Sequence, residues 1–79
     1  MKMPRDLSGA DLIRRLKSCG YEPTRQSGSH IRLTTFQNGE HHITVPNHDP
    51  LRVGTLSSII ALVAEHFKIS KEELLNQLF

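Results

Sequence analysis

His30 is the side chain in this sequence best placed for acid–base chemistry. It follows Ser27-Gly28-Ser29, so a tight turn delivers it to the start of an extended segment, with Arg25, Gln26 and Arg32 as near neighbours. A neutral imidazole, whose free pKa is about 6.5, takes or gives a proton near neutral pH. An arginine beside it can hold a phosphate through paired hydrogen bonds. Together these groups suit proton transfer next to a bound phosphodiester. The alternative is a surface histidine among surface arginines, and composition alone does not separate the two.

Other reactive residues carry weaker signals. His41 and His42 are adjacent and so point to opposite faces of a strand, which keeps them from ligating one ion. Beyond His48, only Glu40 and Asp49 are close in sequence, so no metal site is expected. Cys19 reads as a buried helix-end residue with no partner base. Ser27 and Ser29 lack an Asp–His relay that would make either a nucleophile. There is no glycine-rich phosphate loop. Tyr21 and Phe36 are the only aromatics in or near the expected sheet, so RNA, if bound, is held mostly by its backbone.

The elements that must position His30 follow from periodicity. A helix is expected from about Ser8 to Cys19. Ser8 and Asp11 have capping-box spacing, Leu7 and Leu12 form a hydrophobic staple, and Gly20 supplies a left-handed stop. Three extended segments follow, Tyr21–Gln26, Ser29–Phe36 and Glu40–Val45, with Ser27-Gly28 as the first turn. Pro23 confines the first strand to an edge. For the second turn, a two-residue Asn38-Gly39 loop would put the two apolar sets on opposite faces. A three-residue loop, Gln37-Asn38-Gly39, pairs Leu33 with Ile43 and Ile31 with Val45, and is preferred because a one-residue slip exposes an entire apolar face. Ile31, Leu33, Ile43 and Val45 then face the core, while His30, Arg32, Thr34, His42 and Thr44 stay wet. A second helix, Thr55–Phe67, carries Leu56, Ile59, Ile60, Val63 and Phe67 on one stripe. Ser70 and Glu73 cap a short third helix of about residues 70–78. The order α-β-β-β-α-α reads as an α+β fold with a three-stranded antiparallel sheet and helices on one face.

The whole chain, 79 residues with 37% hydrophobic side chains, is enough for one small domain, residues 1–79 with a core of about 8–67. One cysteine excludes an internal disulfide scaffold. Met1 to Asp6 has no apolar stretch of the signal-peptide kind, and the longest apolar run, Ile59–Ala64, is too short for a membrane span. The expected location is the cytoplasm. Net charge is only +2, but it is uneven. Residues 1–36 carry seven basic and three acidic side chains, and residues 37–79 carry three and five. An anionic partner would therefore meet the first half.

The blocks Gly20-Tyr21, Arg25-Gln26-Ser27-Gly28-Ser29-His30, Ile43-Thr44-Val45-Pro46 and Gly54-Thr55-Leu56 with Ile59-Ile60 together resemble the HicA (YcfA-like) toxins. The resemblance spans about Ser8 to Val63. It implies a fold like a double-stranded-RNA-binding domain, an α-β-β-β-α sandwich. It implies a toxin of a toxin–antitoxin pair that cleaves mRNA, with His30 as the catalytic residue, and a HicB antitoxin that covers the site. The RNA contacts expected here are Arg25, Gln26, Ser27, Gly28, Ser29 and Arg32, with no metal or cofactor. The alternative is a non-catalytic RNA-binding or antitoxin-binding module of the same fold.

Overall fold

The computed structural model describes residues 3–79. Met1 and Lys2, the latter one of the basic side chains counted above, lie outside the described residues.

The first helix, α1, spans Gly9–Leu16, and a 3-10 turn over Lys17–Cys19 finishes the expected Ser8–Cys19 segment. Ser8 Oγ accepts from the Asp11 amide at 3.0 Å, and the Asp11 carboxylate accepts from the Ser8 amide, so both halves of the capping box form. These bonds, followed by the Arg14 and Arg15 charges, hold the Asp11 carboxyl below its usual range. Gly20 ends the segment at φ 82°. That angle is open to glycine and costly for residues with a Cβ. At the other end of α1, a Cβ on Gly9 would overlap the Pro46 carbonyl. The helix start therefore rests directly on the chain leaving the sheet.

The strands β1 (Glu22–Ser27), β2 (His30–Thr35) and β3 (His41–Pro46) form one antiparallel sheet in the order β1-β2-β3. The β2–β3 register pairs Leu33 with Ile43 and Ile31 with Val45, as the core pattern requires. Pairing stops at Thr35 and His41, one residue short of the expected Phe36 and Glu40 on each strand; Gln37-Asn38-Gly39 forms the turn between them, and Gly39 takes φ 99°. Leu33, Ile43 and Val45 are buried and Ile31 packs at the margin of the core. β1 is an edge strand, exposed along its length, with a bulge between Pro23 and Arg25. The bulge and the missing Pro23 N–H both blunt the edge against pairing with other chains.

Two expectations are corrected. The first turn is Gly28-Ser29, not Ser27-Gly28, because Ser27 pairs with His30 and closes β1. Thr34 is on the open face but is buried, at 5% exposure. Its hydroxyl lies 2.9 Å from Thr24 Oγ1 and 2.7 Å from His42 Nδ1, so neighbours from both flanking strands close over it.

The second helix, α2 (Val53–Phe67), starts two residues before the expected Thr55. No side chain caps it. The start is fixed instead by Leu51, which is buried and whose amide donates to Leu7 O at 2.7 Å. The third helix, α3 (Lys71–Leu78), has the expected Ser70–Glu73 capping box, and the chain bends by 103° between α2 and α3. Leu74, Leu75 and Leu78 are buried, and Arg15 Nη1 donates to Leu78 O at 2.8 Å while its guanidinium stacks 4.7 Å from the Phe79 ring centre. All three helices thus share one core with the inner face of the sheet, which makes an α+β, double-stranded-RNA-binding-domain-like arrangement. No single helix among the described residues is long and apolar enough to cross a membrane.

Candidate functional site

The β1–β2 hairpin delivers His30 to the open face at one end of the sheet. Gly28 turns the chain at φ 56°, with nothing within 4 Å of where a Cβ would sit. Ser29 O accepts from the Asn47 amide at 2.6 Å, which ties the turn to the chain just after β3. On one side His30 pairs with Ser27, on the other with Pro46. One step along the same face, Arg25 and Arg32 pair across β1 and β2, and Thr44 lies opposite Arg32 on β3.

These side chains line a shallow depression of Arg25, Ser27, His30, Arg32 and Thr44. His30 is exposed there. Among the described residues, neither arginine is paired with a carboxylate, so both are free to meet an anion. The depression brings together four of the expected site residues. Gly28 and Ser29 are not among the lining residues but form the turn between Ser27 and His30. Gln26 does not join it, because it pairs with Ile31 and so takes the other face, where its Nε2 donates to Gly28 O at 3.1 Å. Thr44 was not among the expected contacts, although the Leu33–Ile43 register already placed it beside Arg32.

The remaining candidates serve the structure. His42 Nε2 lies 2.7 Å from Glu40 Oε2, and with Thr34 and Thr24 it forms a polar chain across three strands. His41 points to the opposite face, its Nδ1 2.7 Å from the Tyr21 hydroxyl and its ring stacked on His66 with centres 4.3 Å apart. Burial, helped by the charges of His66 and His42, pushes the His41 imidazole below its usual pKa. Burial also pushes the Tyr21 hydroxyl far above its ordinary value and raises the Cys19 thiol, which leaves Cys19 a protonated, inert group. No three metal-ligating side chains come together among the described residues.

A model for the family described as "HicA toxin of bacterial toxin-antitoxin" matches residues 9–64 of the chain. The chain belongs to the HicA toxin family. The HicA match runs from α1 through most of α2 and includes every residue of the depression, while α3 lies beyond it. As a HicA toxin the protein is the toxin member of a toxin–antitoxin pair and has an antitoxin partner. No curated protein and no solved structure matches the chain.

Proposed function

We propose that this HicA chain is an endoribonuclease that cleaves mRNA without a metal ion, using His30 as general base. The observation that carries the reading is the depression itself, a solvent-facing imidazole flanked by two guanidiniums that have no carboxylate partner among the described residues. Neutral His30 takes the proton from a ribose 2′-OH, and the 2′-oxygen attacks the adjacent phosphorus. Arg25 and Arg32 bind the non-bridging oxygens and offset the charge that builds there. The P–O5′ bond breaks, and the 5′-oxygen takes a proton from water or from the imidazolium of His30. Gly28, with open space where a side chain would be, lets the ribose-phosphate chain approach the turn closely.

The protein works in the cytoplasm, takes RNA as substrate, needs no cofactor, and is silenced when a HicB-like antitoxin covers the depression. The test is the chemistry of the product ends, read with EDTA present. Fragments bearing 2′,3′-cyclic phosphate and 5′-hydroxyl termini, with DNA left intact, are expected. Products with 5′-phosphates, or cleavage that requires Mg²⁺, would overturn the mechanism.

A further inference from the structure

Phe36 is 73% exposed, and neither the core nor the depression around His30 uses it. It directly follows β2. The residue before it, Thr35, is fully buried on the helix side, with its hydroxyl donating to Cys19 O at 2.8 Å. Strand alternation then turns Phe36 to the open face, the face of His30 and Arg32. Six residues at ~3.3 Å each set the ring roughly 20 Å from His30 along one continuous surface. The surface changes character along that line. Arg25 and Arg32 lie at the His30 end, and the Thr24, Thr34 and His42 polar chain crosses nearer Phe36, with Glu22 paired to Thr34 and the Glu40 carboxylate on His42. Carboxylates repel phosphate but accept from the amino groups of bases. The two ends therefore suit different parts of one strand, the backbone at the arginines and a base at the ring.

We infer that Phe36 is a base-stacking subsite for single-stranded RNA several nucleotides away from the scissile bond, an inference that rests on the ribonuclease reading above. A flat ring stacks on any base, so the subsite holds the strand in line with His30 without itself reading sequence. It also favours unpaired over duplex RNA, since only an unpaired base can leave its own stack for the ring.

The test is binding of a single-stranded 2′-O-methyl RNA of about ten nucleotides, long enough to span the face and lacking the nucleophile. Phe36→Ala and Phe36→Leu are each expected to bind about tenfold more weakly than wild type, and Phe36→Tyr within about twofold of it. Unfolding curves confirm that each variant is folded. Wild-type affinity in Phe36→Leu would mean an apolar contact without stacking and would overturn the inference. Wild-type affinity in Phe36→Ala would overturn it as well. If wild type cleaves RNA and Phe36→Ala binds equally well, only the subsite falls. If wild type neither binds nor cleaves RNA, the ribonuclease reading falls and the subsite with it.

Discussion

Two arginines that, among the described residues, have no carboxylate partner lie side by side on an open sheet face and set what the His30 site can hold. Each bound phosphate releases counterions, so removing one contact has a defined signature. Arg25→Ala and Arg32→Ala should each weaken binding to single-stranded RNA at every sequence and lower the slope of log affinity against log salt by about 0.7. Titrations at several salt concentrations check this, and an unchanged slope would place that arginine outside the RNA contact. At this scale the sequence was informative about His30, Arg25, Ser27 and Arg32, because a turn followed by strict alternation puts them on one face. Gln26 was grouped with them through the motif alone. Strand alternation puts Gln26 opposite His30 whether the turn is Ser27-Gly28, which would pair it with Ser29, or Gly28-Ser29, which pairs it with Ile31.

Between elements, the β2–β3 loop is fastened to the end of α2 by a small histidine cluster. His66 Nε2 bonds Gln37 O at 2.8 Å, Asn38 Nδ2 donates to His66 O at 2.9 Å, and His66 stacks on His41, whose Nδ1 meets the buried Tyr21 hydroxyl. Burial, with the charges of His66 and His42, disfavours the protonated form of His41. The folded-state pKa of His41 is therefore below the unfolded value of about 6.5. The sign follows from linkage. This contribution to stability is complete above pH ~6.5 and is lost as pH falls from there toward the folded value. Denaturant titrations between about pH 5 and 7 should show that loss in wild type, and His41→Asn, which keeps an acceptor but does not titrate, should flatten it. An equally steep profile in His41→Asn would assign the loss to other groups. The β2–β3 register was legible because one slip would have exposed Leu33 or Ile43. The start of α2 was not, because Arg52 offers no capping side chain and the boundary is set at a distance by the Leu51 amide on Leu7 O.

Over the whole molecule, the sheet packs one face against the helices and leaves the other open. The family match ends at residue 64, yet the core does not. Leu74 is fully buried between the helices, and Arg15 reaches across to Leu78 O. Leu74→Ala should cost about 2–5 kcal/mol in unfolding free energy while leaving the geometry at His30 in place. In a domain this small that is a large share of total stability. A variant as stable as wild type would make α3 an appendage. The layer order and the capping box of α3 could be read from sequence, since both follow local patterns. The way α3 closes on α1 could not, because it depends on long-range contacts of Arg15 and the three leucines. The role of His30 decides the function of the molecule as a whole. The most direct measurement incubates single-stranded RNA with wild type and His30→Ala, with EDTA present, and reads cleavage and binding on the same preparations. His30→Ala should keep the fold and the RNA affinity while cleaving about 10²–10⁴-fold more slowly. Equal cleavage by both proteins, or intact RNA with both, would contradict a catalytic His30.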